Sequence, residues 1–558
     1  MPSRIVKRFN GYKSIFGAVF DICENLPDKI GLIDNQNGKM TYGEIRNQIE
    51  RLTGGMQRAG IDKGDRIGLI AENCSRWGIC YLAIQAAGGI VVPFDPALKR
   101  GELADLLRIS EIKLLFCSEK RFLPLTQIID FDRLNIELFR LSGEGERTYD
   151  SLLNSDPFVD ENIKRNDTAA IIYTSGTTGA PKGVILTHGN ILANLDSVSR
   201  ALPFYDNDVF LSLLPLHHTF EATCGFLVPL MMGLTIVYAG SLKSRDIINH
   251  IKDYEVTVMV AVPLVYEKFY LAIKRRLRQL PLAKRVMLDL FHKISSFCRV
   301  FDMNPGRTIF KGLRQKGGLD SIRMFISGGA PLPRHIGEWF NLIGLCLLEG
   351  YGMTECSPVL AVNRPDNICI GSVGPPLPDV EIKINEPGDD GIGEIIVRGG
   401  NTTPGYLNNR EATAELLRDG WLYTGDMGKI EKGRLFITGR SKNIIISGGG
   451  KNIFPEEIED RLNQSDFILE SLAVGRKRSG KTGEEIWAII VPDNEQIEME
   501  FSERKEAILA ERVRDIIADA VKDVNSRLAD YKHIVNFEIR TEEFEKTAAG
   551  KIKRIIYK

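Results

Sequence analysis

The chain has 558 residues, 43% of them hydrophobic and 26% charged, which is the profile of a soluble globular protein with room for several domains. Its 72 basic and 73 acidic residues leave a formal net charge of −1, which argues against nucleic acid as a partner. No apolar run approaches a membrane span, the basic start Met1–Arg8 lacks the apolar core of a signal peptide, and nine singly scattered cysteines without a Cys-x-x-Cys pair read as reduced thiols rather than a metal site.

In chain order, Thr41 and Glu44 have the spacing of a capping box, and Ile45, Ile49, Leu52 and Met56 follow at helical intervals. Asp65–Ile70 reads as a strand, Trp77–Ala87 as a helix and Gly89–Pro93 as another strand. That alternation predicts parallel strands joined by crossover helices. Ala169–Tyr173 and Val184–Leu186 predict two strands flanking a loop. The loop holds the hydroxyls of Thr174, Ser175, Thr177 and Thr178, the glycines Gly176, Gly179 and Gly183, and Lys182. Glycines let several backbone N–H groups point at one anion, hydroxyls add donors and lysine adds charge, so the run has the chemistry of a triphosphate cradle. It is not a Walker A loop, because Lys182 is followed by Gly183 and a β-branched run rather than by Ser or Thr opening a helix. An ordinary Gly/Ser/Thr turn is the alternative.

Residues 265–300 are rich in Lys and Arg interleaved with Phe269, Leu271, Ile273, Leu277 and Phe291. Such a segment fits a solvated helical hairpin on the domain surface, or a basic amphipathic face on an anionic membrane. A boundary is expected near Gly439–Lys442, with a helix starting at Pro455, where proline and acids occupy the first turn. The organisation expected is a large domain over 1–439 and a small one over 440–558, hinged near 440–442.

Further motifs gain meaning from their order: Leu214–Glu221, Ser327–Pro333, Glu349–Glu355, Trp421–Asp426, Gly439–Lys442, Ser447–Asn452 and Lys546–Lys551. Together with the loop they closely resemble the adenylate-forming superfamily of acyl-CoA synthetases, luciferases and adenylation domains, from about Thr41 to Arg554. The resemblance implies an α/β protein: a large N-terminal domain of parallel-rich sheets with a β-subdomain, then a small mobile α+β domain. It also implies that a carboxylate attacks the α-phosphorus of ATP, giving acyl-AMP and pyrophosphate.

The roles that follow from the resemblance are these. Thr174, Ser175, Gly176, Thr177, Thr178, Gly179 and Lys182 hold the β- and γ-phosphates, and Glu355 with the Thr178 hydroxyl positions Mg²⁺, a cation that prefers oxygen ligands. Lys551 neutralises charge at the reacting carboxylate and α-phosphate. Asp426 takes the ribose hydroxyls, Arg440 adds a donor to ribose or phosphate, and Tyr351 stacks on adenine. Gly328, Gly329 and Ala330 give close backbone approach, and Gly352 and Thr354 belong to the same nucleotide motif. His218 lies near the acyl pocket, with His217 packed or exposed beside it. Coenzyme A as second substrate implies a small domain rotating about Lys442 and a pantetheine tunnel along Gly448, Gly449 and Gly450.

The run after His218, the Ser-Gly-Gly-Ala-Pro-Leu motif and the 265–300 segment look most like the long-chain fatty acyl-CoA ligases. On that resemblance the partners are a fatty acid, ATP and coenzyme A, with no nucleic acid. Peripheral membrane contact through 265–300, a homodimer and a cytoplasmic location on the inner membrane face are compatible with it. Two readings compete: an acyl-AMP ligase that loads a separate carrier protein, and a non-catalytic nucleotide-binding relative. The presence of Lys551, Glu355, Asp426 and the whole loop argues against the second.

Overall fold

The computed structural model describes residues 2–160, 162–174, 181–278, 305–477, 483–501, 506–546 and 552–557. Two parallel-rich sheets organise its larger part. The first has six strands in the order Glu137–Arg140, Leu114–Cys117, Arg66–Ile70, Ile90–Pro93, Thr168–Thr174 and Lys182–Thr187. Its pairings are parallel until the last, an antiparallel hairpin in which Thr174 faces Lys182. The strand–loop–strand reading of the phosphate-cradle segment holds at both flanks; the loop residues Ser175, Gly176, Thr177, Thr178 and Gly179 lie outside the described residues.

The second sheet has eight strands: Val359–Val362, Leu347–Gly352, Met324–Ser327, Val258–Ala261, Val209–Ser212, Thr235–Tyr238, Ile30–Asp34 and Gly38–Thr41. Its six central strands are parallel, so their C-terminal ends share one edge. In open α/β sheets that edge is where ligands bind.

The pleat explains how the two sheets pack. Successive side chains of a strand point to opposite faces. In the first sheet Leu114 and Phe116 join the main core, whereas Leu115 and Cys117 join a second core under the helix Arg100–Ser110. The main core also takes Leu32, Phe210 and Val260 from the second sheet, so the two sheets sandwich the helices Tyr42–Arg58, Ser75–Ala86 and His188–Ala201. The helix Ser75–Ala86 is buried at every residue but Arg76, as a middle layer requires. The expected capping box is present: Thr41 Oγ1 accepts from the Glu44 amide at 3.2 Å and Glu44 accepts from the Thr41 amide at 2.7 Å.

A five-stranded antiparallel sheet, including Gly393–Gly399, Trp421–Glu431 and Arg434–Arg440, follows as the β-subdomain. The chain then passes through a short 3₁₀ turn, Ser441–Asn443. Beyond it a three-stranded sheet of Ile468–Lys477, Glu484–Pro492 and Ile534–Ile539 packs on its own core, which includes Ile458, Leu462, Ile490 and Ile517. The helix expected at Pro455 is Pro455–Leu462.

Of the basic 265–300 segment, residues 279–300 lie outside the described residues. Its described part belongs to the helix Pro263–Arg278. Phe269 is buried and Ile273 packs against the outer core of the eight-stranded sheet. Lys274 pairs with Asp466 at 2.9 Å and Arg275 with Glu495 at 2.8 Å, so these two charges meet acids of this chain rather than only solvent. Among the described residues no helix is long and apolar enough to cross a membrane, and no cluster of His, Cys, Asp and Glu could hold a metal.

Candidate active site

The nucleotide-side motifs converge because neighbouring parallel strands deliver them. Gly328, Gly329 and Ala330 leave the end of Met324–Ser327, and Tyr351 and Gly352 end the adjacent Leu347–Gly352. Glycine is required at Gly352: a Cβ there would lie 1.9 Å from the Pro358 carbonyl oxygen, where the chain doubles back. Thr354–Cys356 then form one 3₁₀ turn. Thr354 receives a hydrogen bond from the Thr219 hydroxyl at 3.2 Å.

Two tyrosine–carboxylate couples stand at this edge. Tyr351 donates its hydroxyl to Asp426 Oδ2 at 2.7 Å, and Arg440 Nε meets Asp426 Oδ1 at 2.8 Å. Asp426 and Arg440 face each other across antiparallel strands of the β-subdomain. Burial, and next the Asp426 charge, push the Tyr351 hydroxyl well above the ordinary phenol range, so it remains a donor. Each carboxylate oxygen can accept more than one hydrogen bond, which leaves acceptor capacity for a diol at Asp426.

The second couple is Tyr406 with Glu355 Oε1, at 2.8 Å. Glu355 is 9% exposed, and among the described residues no cation pairs with it. Lys182 Nζ lies 5.2 Å from the centre of the Tyr406 ring. A β-bridge between Val184 and Tyr406, with the Leu407 amide donating to the Gly183 carbonyl at 2.8 Å, ties this tyrosine to the end of the phosphate hairpin. Lys182, Tyr406 and Glu355 thus come from three distant parts of the chain to one place. Tyr406 has no part in the motifs read from the sequence; only the pairing with the 182–187 strand reveals it.

A buried carboxylate without a cationic partner, beside a lysine, suits an oxygen-preferring divalent cation. Glu355 is the described residue that would hold Mg²⁺; the second expected ligand, Thr178, is outside the described residues, as is Lys551. Lys546 and Ile552 pair as a β-bridge on either side of Lys551, and Lys546 makes an ion pair with Glu470.

In the Leu214–Glu221 segment, the His217 and His218 rings lie 4.2 Å apart, with His217 Nε2 3.7 Å from Asp95 Oδ1. Burial lowers both imidazoles below their ordinary range, more strongly for His217, where the neighbouring His218 adds to it. Both rings are therefore neutral at neutral pH. Lys442 is exposed in the Ser441–Asn443 turn. Gly448, Gly449 and Gly450 form an exposed tip between two short strands, where the Gly450 amide donates to the Ser447 carbonyl at 2.9 Å.

A family model described as AMP-binding enzyme matches residues 19–407. The long-chain-fatty-acid–CoA ligase of Bacillus subtilis (strain 168) is 31% identical, over 97% of this chain and 93% of its own. A chloroplastic long-chain-fatty-acid–[acyl-carrier-protein] ligase of Arabidopsis thaliana is 28% identical, over 85% of this chain and 75% of its own. Among solved structures, ATP-bound MatB from Rhodopseudomonas palustris superposes with a TM-score of 0.78 at 25% identity, covering 99% of this chain and 98% of that one.

Proposed function

The chain belongs to the AMP-binding enzyme family, and from that premise we propose that it activates a medium- to long-chain fatty acid as acyl-AMP and passes the acyl group to coenzyme A, releasing AMP and pyrophosphate. The observation that carries this reading is the meeting of Lys182, Tyr406 and Glu355 beside the Tyr351–Asp426–Arg440 cluster. A lysine and a carboxylate that would hold Mg²⁺ meet at Tyr406, beside the hairpin, and the Asp426 carboxylate, with acceptor capacity for a diol, is bonded to Tyr351 of the strand that leads to Glu355. The similarity to the Bacillus subtilis ligase supports a long acyl chain.

In this reading a fatty carboxylate oxygen attacks the α-phosphorus, and pyrophosphate leaves toward the hairpin. Two anions must approach each other, so fixed positive charge offsets the repulsion. Lys182, with the Thr174–Gly179 donors, neutralises the β- and γ-phosphates. Lys551 holds the carboxylate and α-phosphate. Asp426 and Arg440 fix the ribose, and Tyr351 with Gly328–Ala330 flanks the adenine. Bound Mg²⁺, held by Glu355 and Thr178, would spread the developing charge on the phosphates. Neutral His218 lines the acyl side without acting as a base.

In the second half-reaction a thiolate attacks the acyl carbon and AMP leaves with the bridging oxygen. We assign this step to a turn of the 440–558 domain about Lys442, which withdraws Lys551 and brings Gly448–Gly450 over the site. A carrier protein in place of coenzyme A is the second reading, favoured by the similarity to the Arabidopsis ligase. Pyrophosphate and AMP release, measured with acids from butyrate to stearate, tests both. Coenzyme A should raise AMP release strongly for the long acids. Turnover only with an acyl carrier protein would establish the second reading, and no release with any acid would overturn both.

A further inference from the structure

The acyl-side edge of the eight-stranded sheet contains a carboxyl group that the proposed reaction does not use. Glu221 is fully buried. It opens the π-helical turn Glu221–Leu227, three residues after His218. Its Oε1 accepts from the hydroxyl of Ser212, the last residue of the Val209–Ser212 strand, at 2.7 Å. Ser212 Oγ in turn accepts from Asn73 Nδ2 at 3.3 Å. The same amide donates to the Leu214 carbonyl at 2.6 Å, and Asn73 Oδ1 accepts from the Leu216 amide at 2.9 Å. The Asn73 amide therefore holds the first half of the loop that carries the two histidines, and the carboxyl ties the end of that loop back to Ser212 at its start.

The residues around Glu221 reach the nucleotide side. Thr219 donates to Thr354, and Thr223 donates to the Ser357 carbonyl at 3.2 Å, so the segment grips both ends of the turn that presents Glu355. The Phe220 ring lies 2.7 Å from where a Cβ on Gly328 would stand. Space for the carboxyl is left by Gly225, whose added Cβ would fall 2.3 Å from Glu221 Oε1.

We propose that Glu221 is a positioning residue that pins the 213–220 loop to the end of the Val209–Ser212 strand, and so sets where His218 and Phe220 stand relative to Thr354 and Gly328. The inference rests on the acyl-adenylation reading and deepens it: Glu221 fixes the seam between the fatty-acid and nucleotide subsites without touching either substrate.

The device works with a neutral acid. Burial pushes Glu221 up to about 8, against the pull of the Ser212 hydroxyl and the backbone of Leu213 and Leu214. The titratable groups facing it are Cys224 on its own turn, Tyr238 on the Thr235–Tyr238 strand and Tyr266 on the helix Pro263–Arg278. Each is held protonated by burial, and each is pushed further up by Glu221. The two histidines are already neutral in that range. Deprotonation of Glu221 thus leaves an unpaired charge among neutral groups, which such a site does not tolerate.

The test is ATP–pyrophosphate exchange at saturating ATP, with the fatty acid varied and the pH taken from neutral through about 8 and beyond, for the wild type, Glu221→Gln and Glu221→Ala. In the wild type the kcat/KM for the acid should fall above pH about 8, mostly through KM. Glu221→Gln keeps an acceptor for Ser212 and cannot titrate; it should retain neutral-pH activity within a few-fold and lose the alkaline fall. Glu221→Ala should raise the KM for the acid about tenfold, the size of one lost buried hydrogen bond. An alkaline fall that persists unchanged in Glu221→Gln overturns the positioning role. Absence of exchange in the wild type with any acid instead overturns the functional reading, and the positioning role with it.

Discussion

The two halves of one sheet edge solve opposite problems. On the nucleotide side, the strands Met324–Ser327 and Leu347–Gly352 run out into exposed Gly329 and Gly352, with Gly328 packed on Phe220 and Gly352 backed by Pro358. On the acyl side, the strands Val209–Ser212 and Thr235–Tyr238 end in Ser212 and Tyr238, which are buried and closed over by Glu221 and its π-helical turn. The first half offers charge: Lys182, Glu355, Asp426 and Arg440. The second holds neutral forms: low-lying histidines and a raised carboxyl. In the proposed reaction a triphosphate would need fixed charges, whereas an alkyl chain would be served by a site from which charge is absent.

The comparison can be broken first at Glu355. Glu355→Gln keeps the shape and removes the charge, so adenylation should fall by about 10²–10³-fold, the range for losing one group that stabilises transition-state charge. Single-turnover formation of acyl-AMP reads this directly, and a loss below about tenfold would deny Glu355 a part in the reacting centre.

Next is Gly225. Gly225→Ala drives a methyl into the Glu221 carboxyl and should cost about 1–3 kcal/mol of stability, as overpacking does, read from a denaturant midpoint. Pairing it with Glu221→Ala should recover part of that cost, because the two side chains are in contact.

The pH dependence of stability sharpens the contrast further. Burial raises Glu221 in the folded chain from the ordinary 4.5 to about 8. The folded state then binds the extra proton, and its stability declines as pH rises between those two values. Glu221→Gln removes that decline, so the gap in Tm between variant and wild type should shift in the variant's favour on going from acid to mildly alkaline pH. A gap that does not change with pH would mean that Glu221 is not held neutral.

A last variant probes Tyr406. Tyr406→Phe keeps the ring beside Lys182 and loses one hydrogen bond to Glu355, worth about 1.5–3 kcal/mol for a charged acceptor. The change should be seen mainly in adenylation rate and only weakly in fatty-acid KM.

What could be read in the chain was what local chemistry dictates. The capping box at Thr41, the helix at Pro455 and the hairpin around Lys182 depend on neighbours a few residues apart, and they stand where expected. Glu355, Asp426 and Arg440 were marked by the resemblance of their motifs to the adenylate-forming superfamily. Tyr406 could not be found this way, because its partners Val184 and Glu355 come from other strands and turns. Glu221 ends the Leu214–Glu221 motif without a role there: a glutamate at the start of a helical turn looks solvated until its contact with the Val209–Ser212 strand is seen. The ion-pair partners of the basic helix were out of reach for the same reason, since Asp466 and Glu495, which meet Lys274 and Arg275, lie some two hundred residues downstream.

The central claim is that the fatty carboxylate itself attacks the α-phosphorus. The most direct measurement uses a fatty acid carrying heavy oxygen in its carboxyl group, turned over with ATP and coenzyme A, with the label traced by mass spectrometry. Attack at the α-phosphorus leaves one labelled oxygen in AMP when the thiol displaces it, and none in pyrophosphate. Label in pyrophosphate or orthophosphate, or an unlabelled AMP alongside acyl-CoA, would contradict it.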